Sequence, residues 1–141
     1  MTTPSERDIN VYNSLDEITA RDHFLDKTIE EAEELFRENS AVYQEDLMWM
    51  GPRAFHYYLP AVINYLKSEH AAGDDHLIHC LHEIIRFRSE QEGLSSLATD
   101  PVLELVDYVI DSYAKFDVDA VAYGDVLGKY EKLKTELERS E

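Results

Sequence analysis

The last stretch of the chain repeats its apolar residues with a helical period: Val126, Tyr130, Leu133 and Leu137 stand at i, i+4, i+7 and i+11, the spacing that lines one side of an α-helix. β-branched alternation, the mark of a half-buried strand, is scarce throughout. A chain patterned this way must bury its apolar faces helix against helix. The expected fold is therefore all-α, a single compact domain of five to six amphipathic helices over residues 14–141. Residues 1–13 are polar and aperiodic and are expected to form a flexible N-terminal arm. A chain of 141 residues with 44% apolar side chains can fill a core of that size.

Helix starts are written into the sequence. Ser14 with Glu17, and Thr28 with Glu31, have the S/T-x-x-E form in which hydroxyl and carboxylate each satisfy the other's neighbouring backbone N–H. After Thr28, the residues Ile29, Ala32, Leu35 and Phe36 share one face and glutamates fill the rest, predicting a helix that ends near Asn39. Gly51-Pro52 restarts a helix, and Pro60 divides the aromatic-rich stretch after it into a short helix over 52–58 and a longer one over 60–69. Trp49, Phe55 and the neighbouring tyrosines are expected at the centre of the core. Asp74 or Asp75 caps the next helix, which buries Leu77, Leu81, Ile84 and Ile85 and stops near Gly93. Asp100-Pro101 opens another, running to about Lys115, with Leu103, Val106, Val109, Ile110 and Tyr113 inward. A short turn is expected over Asp119–Tyr123.

The run Met50-Gly51-Pro52-Arg53-Ala54-Phe55-His56-Tyr57-Tyr58-Leu59-Pro60-Ala61 resembles the signature of a family of small uncharacterised bacterial proteins, in which a proline-started helix carries an aromatic pair followed by Leu-Pro-Ala. The resemblance extends over residues 24–115, and its specific part is this central dozen. It implies a fold and no activity, so it assigns no catalytic residue. Taken physically, Phe55, Tyr58 and Leu59 at i, i+3 and i+4 pack inward and Pro60 fixes a bend.

Thirteen basic and thirty acidic side chains leave a formal charge of −17. The excess is not a tail: residues 1–70 hold six basic and fourteen acidic side chains, residues 71–141 seven and sixteen. A body so charged repels phosphates and anionic head groups, which argues against nucleic acid and against a membrane surface. No stretch approaches the roughly 18 apolar residues of a membrane span, and the first residues lack the pattern of a secretion signal. Together with the single Cys80, which has no disulfide partner in the chain, this points to a cytoplasmic protein.

The densest set of metal-ligating residue types is His76, His79, Cys80 and Glu83, at i, i+3, i+4 and i+7 of one helix. That side faces away from Leu77, Leu81 and Ile84, so the four are expected near the surface, where a solvated helix face is the competing reading. Two sharper metal patterns fail. His82-Glu83-Ile84-Ile85-Arg86 opens like the zinc-protease motif but ends in a permanent cation. None of the six histidines has Glu three residues before it, so a di-iron bundle is unsupported. Nucleophile elbows and phosphate-binding glycine loops are absent.

The acidic surface carries the leading expectation. Asp100, Glu104, Asp107 and Asp111 stand at i, i+4, i+7 and i+11, forming a stripe with Tyr108 beside it and with Asp117, Asp119 and Asp125 beyond its end. Like charges at these spacings oppose the helix they decorate. A basic partner would relieve that repulsion. The expected function is thus a non-enzymatic protein-binding module, of inhibitor or immunity type, that uses Asp100, Glu104, Asp107, Tyr108 and Asp111 and needs no cofactor. The alternative is a metal- or small-ligand-binding protein using His76, His79, Cys80 and Glu83. A pocket near Trp49, His56 and Tyr57 would serve an enzyme, on residue type alone. The stripe of the last helix is equally able to close the domain or to pair with a second chain.

Overall fold

The structure, a computed structural model, describes residues 2–140. Among the described residues all regular structure is helical: ten α-helices, two 3₁₀ turns and no strand. The helix count exceeds the expected five to six because four of the ten, α1 (Glu6–Ile9), α4 (Asp46–Trp49), α7 (Leu94–Leu97) and α9 (Ala120–Tyr123), are single turns, too short to show a period. No described helix is long and apolar enough to cross a membrane. The contacts divide the chain after Lys67 into two units, a division that no linker composition announces.

The first unit holds α1, α2 (Leu15–Phe24), α3 (Ile29–Tyr43), α4 and α5 (Pro52–Lys67). Both expected capping boxes are formed, Ser14 with Glu17 and Thr28 with Glu31. The α3 backbone breaks at Asn39, at φ −163° and ψ 81°, then turns helical again to Tyr43. Residues 2–13, read in the sequence as part of a flexible arm, carry a short helix and several anchors. A third capping box, Ser5 with Asp8, starts α1, and Ile9 is fully buried. Gly51 donates its N–H to the Ile9 carbonyl at 3.1 Å, and Arg53 reaches Asp8 at 2.6 Å and Thr2 at 3.2 Å. The arm is built in because one apolar residue and several polar anchors dock on the start of α5.

Pro60 does not split α5, which runs unbroken for 16 residues. A mid-helix proline costs about 3 kcal/mol. Nine residues of α5 are buried, among them Phe55, Tyr58, Leu59, Val62, Ile63 and Leu66, each such side chain contributing about 1.5–3 kcal/mol. Burial on both sides of Pro60 outweighs the missing bond. Phe55, Tyr58 and Leu59 turn inward as their spacing implies, whereas Trp49 is only half-buried. Tyr58 Oη lies 2.9 Å from the main-chain oxygens of both Phe24 and Lys27, so its one hydroxyl proton is shared between the end of α2 and the turn that follows it. Burial pushes its phenol well above the usual range.

The second unit holds a 3₁₀ turn (Glu69–Ala71), α6 (Asp75–Glu92), α7, α8 (Asp100–Asp111), a second 3₁₀ turn (Tyr113–Phe116), α9 and α10 (Val126–Arg139). Asp74 accepts from the Leu77 N–H to start α6, and Gly93 at φ +84° ends it. The α10 stripe is buried as its period predicts: Val126, Tyr130, Leu133 and Leu137 are all fully covered. These side chains face α6, α7 and α8, against which α10 packs.

Candidate partner-binding face

The acidic stripe is carried by α8, which starts one residue earlier than the proline signal suggests. Thr99 occupies the cap position and Pro101 stands in the first turn. Its buried residues are Val102, Leu105, Val106 and Val109, while Leu103, Ile110 and Tyr113 are half-buried. At 100° per residue the centre of that buried face lies opposite Asp100, Glu104, Asp107 and Asp111. Asp100, Glu104 and Asp111 are exposed, and Asp107 is half-buried.

Asp107 and Tyr108 of the expected contact residues are held by cations of the chain itself. The Asp107 carboxylate forms an ion pair with Lys134 of α10 at 2.8 Å, and this contact holds the Lys134 ammonium above its usual range. Tyr108 Oη accepts from Lys115 at 2.9 Å, and the same ammonium stands 5.4 Å from the Tyr108 ring centroid. The Tyr108 ring in turn meets Phe116 edge-on at 6.4 Å. Tyr108 is thus fixed in orientation by a cation on one side and an aromatic ring on the other.

The aspartates beyond α8 divide by role. Asp119 accepts from the N–H groups of Val121 and Ala122 and so starts α9, and Asp125 accepts from Gly128 to start α10. Asp117 is exposed in the left-handed region at φ +49° and terminates the second 3₁₀ turn. Two of the three are therefore helix caps before they are surface charge.

His76, His79, Cys80 and Glu83 are not assembled into one site. Cys80 Sγ is 3.5 Å from His76 Nε2, but the His79 ring stacks on Tyr123 at 4.7 Å and the Glu83 carboxylate lies 3.4 Å from His82 Nδ1. His76 and Cys80 face each other, while His79 and Glu83 turn to neighbours outside the set. Among the described residues no three His, Cys, Asp or Glu side chains are placed to hold a metal ion. Helical spacing made convergence permissible, but side-chain torsions chose otherwise. His82, which opens the failed zinc motif, is the buried histidine of this helix at 6% exposure.

Near the third candidate location, His56 lies edge-on to Phe55 at 5.2 Å and Tyr57 edge-on to Tyr58 at 5.0 Å, so both rings belong to the aromatic packing of α5. Sequence reading missed a polar pair in the first unit: His23 of α2 and Asp46 of α4 meet at 2.6 Å. No local pattern joins residues 23 positions apart, and Asp46 sits within a segment that reads as aperiodic. Lys134 was missed for the same reason, since its pairing with Asp107 depends on how α10 lies on α8. Comparison of the chain with protein-family models, with curated proteins and with solved structures finds no match.

Proposed function

We propose that the chain is a non-enzymatic, acidic protein-binding module that covers a basic surface on another protein, in the manner of an inhibitor or immunity protein. The observation that carries this reading is the exposed row Asp100, Glu104 and Asp111 on the side of α8 opposite its buried face. Carboxylates so spaced repel one another along the helix. A cationic partner turns that repulsion into attraction and is steered toward the face over about a Debye length, ~10 Å at 0.1 M salt. Tyr108, held beside the row by Lys115 and Phe116, supplies the rigid aromatic element that interface centres favour.

The test is capture from the native host at low ionic strength with the wild-type chain and with the triple variant Asp100→Asn, Glu104→Gln, Asp111→Asn. The wild type retains a basic protein whose association slows steeply with added salt, and the triple variant loses it. Retention that is equal for both proteins, or insensitive to salt, defeats the reading. Each of the three substitutions is on the surface, where a single change typically shifts folding stability by about 0.5 kcal/mol or less, and an unchanged circular dichroism spectrum of the triple variant separates a loss of capture from a loss of fold.

A further inference from the structure

Asp46 is a carboxylate with only 4% of its surface exposed. Its Oδ2 stands 2.6 Å from Nδ1 of His23, the next-to-last residue of α2. A carboxylate can only accept, so the ring carries its proton on Nδ1 and donates it to Asp46. The His23 ring is further fixed by Tyr43 of α3, which meets it edge-on at 5.0 Å. The Asp46 carboxylate lies in the first turn of α4, where negative charge suits the helix dipole.

The element that this pair anchors is small. α4 has four residues, one turn, and Glu45 before it makes no side-chain cap. A single turn does not persist on its own. Leu47, fully buried, and the Asp46 carboxylate are the side chains through which α4 is buried in its unit. Trp49, the one tryptophan of the chain, closes the same turn.

We propose that the His23–Asp46 pair is an acid-sensitive latch that holds α4 and Trp49 against the end of α2, and that protonating the Asp46 carboxylate releases this turn while the other helices stay folded. Protonation replaces a charge-assisted bond by a weaker one to a neutral acid. The charged and titratable groups around Asp46 set the direction. Burial favours the neutral acid, His23 opposes it, and Glu45 beside it and Asp16 on α2 add like charge that favours it again. The net effect is a carboxyl that takes up its proton at a pH above its ordinary value.

Trp49 reports the event directly. Emission of the full-length chain is followed from neutral pH to mild acid beside far-UV circular dichroism, for wild type, Asp46→Asn and His23→Gln. The wild type shows a reversible shift in Trp49 emission at a pH where helix content is unchanged. Asp46→Asn has no carboxyl to titrate and loses that shift. His23→Gln keeps a donor but removes the imidazole that opposes protonation of Asp46, and its midpoint moves to higher pH. A Trp49 signal that stays flat until the helices melt, or a shift that survives in Asp46→Asn, overturns the latch. Should Asp46→Asn fail to fold, His23→Gln decides, because a midpoint left unchanged by that substitution also overturns it.

Discussion

Tyr130 of α10 donates its hydroxyl to the main-chain oxygen of Ile78 in α6, 52 residues away in the chain and 2.6 Å away in space. The side chain is fully buried, and its ring meets His82 at 5.5 Å. One residue thus supplies both apolar area and a polar tie between the two long helices of the second unit. Removing the tie alone, in Tyr130→Phe, is expected to cost about 1 kcal/mol. Removing the ring as well, in Tyr130→Ala, costs about 3–5 kcal/mol. Urea unfolding followed by circular dichroism measures both, and equal losses would mean that the hydroxyl carries the whole effect.

Glu17 commits its carboxylate to the backbone. Oε1 accepts from the N–H groups of Val11 and Tyr12 at 3.1 and 3.0 Å, and Oε2 from that of Ser14 at 3.0 Å. Burial opposes its charge, but the bonds from Ser14, Tyr12 and Val11 outweigh burial and hold the carboxyl below its usual range. A depressed carboxyl contributes stability above the unfolded value of about 4.5 and loses it as pH falls through the folded one. Glu17→Gln has one acceptor oxygen in place of two and no charge, which is expected to cost about 2 kcal/mol. Faster hydrogen exchange at the Val11, Tyr12 and Ser14 amides would locate the loss in this loop.

His82 is a buried base whose Nε2 has no hydrogen-bond partner among the described residues. Burial lowers its affinity for a proton, Glu83 raises it, and the nearby charges of Arg86 and Lys129 lower it again, leaving it below the ordinary 6.5. The unfolded chain therefore takes up a proton before the folded one does. Stability is complete above about pH 6.5, falls as pH drops below it and levels off under the folded value. One proton limits the slope to about 1.4 kcal/mol per pH unit. His82→Leu removes this contribution, so its urea midpoint between pH 7.5 and 5.5 is expected to be flatter than that of wild type.

The features legible in the sequence were local ones. The boxes at Ser14 and Thr28, the start of α6 at Asp74, its stop at Gly93 and the buried side of α10 are each set by residues within a turn or two of one another. The inward face of α8 was placed about one residue off, since Leu103 and Ile110 are as apolar as Val102 and Leu105 and only packing on α10 separates them. Pro60 misled because a local penalty was weighed without the burial that overrides it. On the candidate face, Asp100, Glu104, Asp107 and Asp111 share a side as their spacing requires, but the cations at Lys134 and Lys115 are matters of tertiary approach. The same limit hid His23 and Asp46, whose meeting depends on α2 and α4 lying together.

Gly51 stands where α1 docks on the start of α5. A β-carbon there would fall inside the contact distance of the Asp8 carbonyl and of the Val11 side chain. Position 51 and the segment 8–11 are therefore not free to drift independently. In any relative of this chain that bears a side chain at the equivalent of Gly51, the first turn must have withdrawn or been remodelled. The opening residues, which look expendable when read alone, inherit the constraint of a glycine more than forty positions downstream.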